Sequence, residues 1–303
     1  MINFVRYNFR FCLMDSQSLE VWWKKCKTRS PVIFIMSSIY SRNEEILKWW
    51  KDKSRIKGKK FVLDGIMYRG EFCNDKVCKR LPSKDFKIET ETWEKAPVRF
   101  LFITKDYNES AGIRDIRDEV GGRESSDEKV IPYPKTKNRF HKNIVFQLYG
   151  LGNTTPDNLI KYKDVSDDKA LKFYDTCALA RINVKKQAGQ GLIENNVLKK
   201  YICKYSSLLQ EQILNLDADI IVCGGAELLK YIRKYIKKFY KLEEDEFNPG
   251  NGWIYYNKEY KKIVISSWHP SYRRIKSEEF YTKMIDAYFT FLTNHPEFAK
   301  PYR

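Results

Sequence analysis

The sequence predicts an α/β protein: a three-layer sandwich around a central four-stranded parallel sheet, with an N-terminal α+β extension. Three observations carry that expectation. Val98 to Thr104, Phe173 to Ala180, Asp219 to Cys223 and Lys262 to Ser267 are short apolar runs of strand length that read as buried parallel strands. Helical stretches lie between them, which makes the sheet parallel and places a site where loops leave the carboxyl ends of its strands. The chain, at 303 residues, is long enough for one large α/β domain or for a medium domain with an N-terminal addition.

The elements follow in order. Ser18 to Lys27 and Asn43 to Lys53 read as short helices carrying Trp22-Trp23 and Trp49-Trp50, and Phe61 to Phe72 as strand broken at Gly65 and Gly70. The character of the chain changes near Ala96 and Pro97, so the expected division is an accessory region, 1–96, and a main domain, 97–303. The clearest helix spans Val197 to Leu216, where Leu198, Tyr201, Ile202, Tyr205, Leu209, Ile213 and Leu216 recur at three- and four-residue steps and form one apolar face. Leu228 to Tyr240 reads as another helix, its outer face holding Arg233, Lys234, Lys237 and Lys238.

Lys and Arg total 56 against 39 Asp and Glu, a net charge of +17. That excess points to a partner carrying phosphates. Aromatic residues make up 15% of the chain, and rings beside cations suit unpaired or flipped bases, although most rings belong to the core. The seven Cys are scattered and no signal peptide opens the sequence, so reduced thiols and a cytoplasmic location are expected. No apolar run approaches a membrane span, and no membrane partner is expected.

Chemistry-bearing residues gather after the first and last predicted strands. Thr104-Lys105-Asp106-Tyr107-Asn108-Glu109 puts carboxylates at a strand end, and Ser267-Trp268-His269-Pro270-Ser271-Tyr272-Arg273-Arg274 holds a His ahead of a Pro and trails two Arg. Taken singly, Asp106 reads rather as a solvated turn residue and His269 as a residue that fixes a loop.

In that position the His-Pro-Ser-Tyr run resembles the second signature motif of the uracil-DNA glycosylase superfamily. The family's first motif takes the form Gly-Gln-Asp-Pro-Tyr in one branch; here Asp106 and Tyr107 are kept while Gly, Gln and Pro are lost. Asp217 to Gly225 is similar to the family's third strand, and Arg139-Phe140 to the position of the aromatic that stacks on the extruded base. The resemblance covers roughly residues 97 to 293. It implies a DNA glycosylase, in repair or antiviral defence, that flips out a pyrimidine-type base and leaves an abasic site, with DNA as partner. Asp106 would face the positive charge developing on the sugar, and His269 would donate to the departing base.

Phe140 and Tyr107 would contact the base, and Lys185, Lys186, Ser271, Tyr272, Arg273 and Arg274 the DNA. Uracil-specific members carry an Asn near the end of the second strand, whose amide pairs with the base edge. The alignment puts Thr176-Cys177 there, which leaves two alternatives: either Asn183 does that work, or Cys177 lines a roomier site for a modified pyrimidine such as hydroxymethylated or glucosylated cytosine. Cys73 and Cys78, with Cys177, Cys203 and Cys223, do not have the spacing of the four-iron cluster found in some branches, and only His141, His269 and His295 could join them. No metal or other cofactor is expected. Two rival readings stay open: a non-catalytic nucleic-acid-binding protein of the same fold, and a metal-dependent nuclease, for which only Asp106, Glu109 and Asp115 lie near strand ends.

Overall fold

A computed structural model of the protein describes residues 38–54, 61–68, 70–73, 76–80, 82–105, 114–120, 123–124, 138–189, 193–225, 228, 230, 240–245 and 253–299. The helix expected over 18–27 lies outside these residues, as does nearly all of that expected over 228–240. The chain forms two compact units, Met1–Ser38 and Ile39–Arg303, and the second is described below.

It is mixed α/β. Its main sheet is built from β1 (Gly65–Ile66), β2 (Arg99–Thr104), β3 (Ala178–Asn183), β4 (Ile220–Gly224), β5 (Glu243–Glu244), β6 (Ile254–Asn257) and β7 (Lys262–Ser267), in the order β5-β6-β7-β4-β2-β3-β1. Neighbours from β7 through β4 and β2 to β3 pair in parallel, while β6 with β7, β5 with β6 and β1 with β3 pair antiparallel. The expected four-stranded sheet is therefore a seven-stranded mixed one. The added strands carry little apolar pattern of their own: β1 and β5 are two residues each, and β5 is Glu-Glu.

The helices described are α1 (Ile39–Ser54), α2 (Lys87–Lys95), α3 (Arg139–Asn153), α4 (Asp167–Thr176), α5 (Asn195–Leu216) and α6 (Ser277–Asn294). Phe173 belongs to α4 and not to a strand. Ser166 caps that helix by accepting from the Lys169 N–H at 3.3 Å, and Asp167 and Asp168 sit in its first turn, where the helix dipole favours them. The second parallel strand consequently starts at Ala178, five residues later than the apolar run suggests.

Alternation along the central strands feeds two separate cores. Phe100, Phe102, Leu179, Val222 and Ile265 pack with α3, α4 and α6 through residues such as Ile144, Leu148, Leu171 and Phe291. Leu101, Ile103, Ala180, Ile221 and Val264 pack with α1 and α5 through Ile46, Trp50, Leu209 and Ile213. A fully buried side chain of this size stabilises by about 1.5–3 kcal/mol, so both faces are held firmly.

The described residues between 39 and 96 belong to the same unit. β1 pairs with β3 through Gly65↔Arg181 and Ile66↔Ala180, and the Trp93 Nε1–H donates to the Leu216 carbonyl at 3.0 Å. Gly65 sits at φ 136°, and a Cβ there would stand 2.5 Å from Asn43 Nδ2, so no other residue suits this approach of α1 to β1. The compositional change at Ala96 and Pro97 is thus not the division between the two units. Among the described residues no helix is long and apolar enough to cross a membrane.

Candidate functional site

Parallel register brings four strand ends into a row: Thr104 opposite Asn183, Cys223 opposite Ile103, and Gly224 opposite Ser267. Residues two apart share a face. Thr104 therefore follows Phe102, Asn183 follows Arg181, and Ser267 follows Ile265, all toward the side covered by α3. The Thr104 hydroxyl donates to Asn183 Oδ1 at 2.5 Å, and Gln147 of α3 donates to Ser267 Oγ at 3.2 Å.

Asn183 is 2% exposed, and its Nδ2 has no hydrogen-bond partner among the described residues. A buried donor left unpaired costs about 1–3 kcal/mol, which makes this amide a group suited to an incoming acceptor. Its backbone is held from behind: the Asn183 N–H donates to Asp64 Oδ2 at 2.8 Å. Asp64 in turn accepts from Lys186 Nζ at 2.6 and 2.8 Å and from Gln212 Nε2 at 2.9 Å. Gln212 also donates to Asn43 Oδ1, whose own amide returns to the Asp64 carbonyl.

His269 stands two residues past β7, in a loop that α3 clasps at both ends. Asn143 Nδ2 donates to the Pro270 carbonyl at 2.6 Å, and Arg139 donates to the Ile275 carbonyl. Gly224 leaves room for the turn, since a Cβ there would meet Pro270 Cδ at 3.1 Å. The Ser271 N–H donates to His269 Nδ1 at 3.2 Å. In a neutral imidazole that bond assigns the proton to Nε2, the remaining donor. Burial, and after it the charge of Lys105, depress the His269 pKa to about 4, so the neutral form is the one present near pH 7.

Phe140, in the first turn of α3, joins the two halves of the site. Its ring lies 5.9 Å from that of His269, tilted by 43°. The Arg181 guanidinium stands 5.6 Å from the Phe140 centroid. Asn138 caps the helix by accepting from the Phe140 N–H at 2.9 Å, which fixes where the ring begins.

The depressed His269 pKa gives a testable pH dependence. An unfolded imidazole titrates near 6.5, so above that pH both states are neutral and His269 adds no pH dependence. Between about 6.5 and 4 the unfolded chain takes the proton first, and the folded state should lose up to about 3 kcal/mol, levelling below pH 4. His269→Gln should lack that part of the acid sensitivity. Denaturation midpoints at pH 7 and pH 4.5 for both proteins check it; equal sensitivity would exclude a half-buried imidazole held neutral.

The sequence-predicted residues divide as follows. His269 and Phe140 are in ring contact, and Asn183 lies beside Thr104 in the same row of strand ends. Asp106, Tyr107 and Glu109 lie outside the described residues. Cys177 is corrected: it follows α4 at the amino-terminal edge of β3, with its Sγ 3.8 Å from the Tyr174 carbonyl, six residues before Asn183 and therefore about 20 Å away along the strand. Lys186 is corrected as well. It is 0% exposed and ion-paired to Asp64, out of reach of a phosphate.

Lys185 is half-buried beside the site, and Ser271, Arg273 and Arg274 are exposed on the His269 loop. Tyr272 is half-buried and stacks on Trp268, with centroids 6.1 Å apart and planes 11° apart. Asp115 pairs with the buried Arg117 at 2.7 Å rather than with other carboxylates. Among the described residues no group of His, Cys, Asp or Glu is arranged to hold a metal ion. Sequence reasoning passed over Asn143, Gln147 and Asp64. Asn143 and Gln147 had a signal, since they follow Phe140 at steps of three and four residues and so share its face of α3. No family model matches the chain, and no curated protein matches it.

Proposed function

We propose that this protein is a DNA glycosylase that flips out a pyrimidine-type base and hydrolyses its N-glycosidic bond, leaving an abasic site. The observation that carries the reading is the buried Asn183 amide, its Nδ2 unpartnered among the described residues, at the strand ends that also hold Thr104 and are bridged by Phe140 to His269. Thr104 fixes the amide's carbonyl side and leaves its donor for a base carbonyl. Phe140 offers a ring face for a base stacked between β3 and His269. The His269 Nε2–H donates to the oxyanion that forms as the base departs. Asp106, next but one after Thr104, supplies the anion facing the sugar. Arg273, Arg274 and Lys185 carry positive charge at the rim for the DNA backbone. With Asn183 at the strand end, uracil is the favoured base, ahead of an enlarged cytosine.

Incubation with oligonucleotides bearing uracil, hydroxymethylcytosine or glucosylated hydroxymethylcytosine, followed by alkali, tests this. Uracil strands should be cut, and Asn183→Ala should slow release by at least about tenfold. DNA binding that weakens with salt but yields no abasic site on any substrate would replace this reading with the non-catalytic one.

A further inference from the structure

Lys105 has no part in the roles above. Its carbonyl accepts from the Lys185 N–H at 3.0 Å, which fixes the chain where β2 and β3 end. Its side chain crosses toward β4: Cε lies 3.3 Å from the place a Cβ would take on Gly225. Gly225 is held at φ 136°, and its N–H donates to the Ser267 carbonyl at 2.7 Å. The stem of the lysine therefore rests on the seam between β4 and β7, two residues ahead of His269. Its charge reaches the imidazole, where it is the second cause, after burial, of the depressed pKa. From α3 the ring of Phe140 faces His269, with His141 edge-on to Phe140, while Arg273 and Arg274 on the loop itself are exposed.

We propose that Lys105, laid across Gly225, is the cation that faces the departing base anion, complementing the hydrogen bond that His269 donates. The inference rests on the glycosylase reading. When the bond between the sugar C1′ and the base nitrogen breaks, the electron pair leaves with the base. Water then adds its hydroxyl to C1′, and its proton returns to the base. Between those events a full negative charge stands in a partly desolvated site, where a fixed positive charge acts more strongly than in bulk water. A neutral imidazole cannot balance that charge, and a lysine at this strand end can.

The full-length chain and its Lys105→Met and Lys105→Arg variants test the assignment. With three His in the chain, the His269 resonance is identified by its loss in His269→Gln. Lys105→Met should raise the His269 titration and slow single-turnover uracil release by about tenfold or more. The loss should be smaller for 5-fluorouracil, whose anion is the more stable, and Lys105→Arg should recover both properties. Release by Lys105→Met equal to that of the parent would overturn the proposal, as would an unshifted His269 titration or a deficit independent of leaving group. Failure of the parent itself to release any base is a separate result, visible before any variant is compared, and would overturn the glycosylase reading and this inference with it.

Discussion

Asp64→Ala is expected to destabilise the protein by about 3–5 kcal/mol, the largest stability effect of any single substitution near the site. Asp64 and Lys186 are both 0% exposed, and each is the other's charge partner. Removing the carboxylate leaves an ammonium in the core with, among the described residues, a hydrogen bond to Gln212 Oε1 at 2.8 Å and a contact of 4.7 Å with the Trp50 ring. Burial already lowers the Lys186 pKa, with Asp64 opposing that shift. Without Asp64 the lysine either deprotonates or unfolds its surroundings. The substitution also frees the Asn183 N–H and one donor of Gln212, so the loss extends to the strand end that holds the site.

Urea denaturation read by a tryptophan signal should show a lower midpoint with an unchanged slope. Asp64→Leu combined with Lys186→Met should recover much of the stability, because an apolar pair of similar volume carries no desolvation cost. A loss below about 1 kcal/mol in Asp64→Ala would mean that the pair is hydrated and not a core element.

This network marks where the sequence stops being readable. Asp64 and Lys186 lie 122 positions apart, and nothing local in either segment selects the other. Lys186 reads as a surface cation because Lys is almost always exposed, and only the packing of α1 and β1 against β3 and α5 reveals otherwise. β2, β4 and β7 were legible for the opposite reason: each is a short, mainly apolar run whose pattern needs no partner to be recognised. The same holds for α5, whose expected face agrees with the buried Leu198, Ile202, Tyr205, Leu209, Ile213 and Leu216.

Placement of the candidate site was legible at His269, where a motif follows a clear strand, and misread at Cys177. There, Phe173 and Tyr174 look like the start of a strand while Ser166 and two Asp begin a helix. The capping signal decides the matter, since Ser166 accepts from the Lys169 N–H and opens a helix that runs to Thr176. That shift moves the end of β3 to Asn183 and brings an amide, not a thiol, to the site.

His269→Ala should lower single-turnover base release by about a hundredfold or more while leaving affinity for substrate DNA nearly unchanged. The imidazole is held in one tautomer by the Ser271 N–H, in a loop clasped by Asn143 and Arg139, so Nε2–H presents a fixed donor whose reorganisation is complete before the reaction begins. Its effect exists only as charge develops on the base, which is why it acts on the chemical step and not on binding. With a pKa of about 4 the group is already neutral across the physiological range. Raising the pH from 6 to 8 should leave its contribution unaltered, whereas a charged imidazolium would lose activity over that interval.

The alanine variant should keep its melting temperature at pH 7, because the loop is tied through the Pro270 and Ile275 carbonyls and not through the imidazole alone. Leaving-group dependence separates the two possible roles of the residue. A donor to the oxyanion is worth less when the base is intrinsically acidic, so the deficit should narrow from uracil to 5-fluorouracil. A residue that only fixes the loop would give the same deficit on both bases, together with weaker DNA binding and a lower melting temperature. Rate, affinity and melting temperature measured on one preparation decide between them, and a uniform deficit with reduced stability would remove His269 from the chemistry.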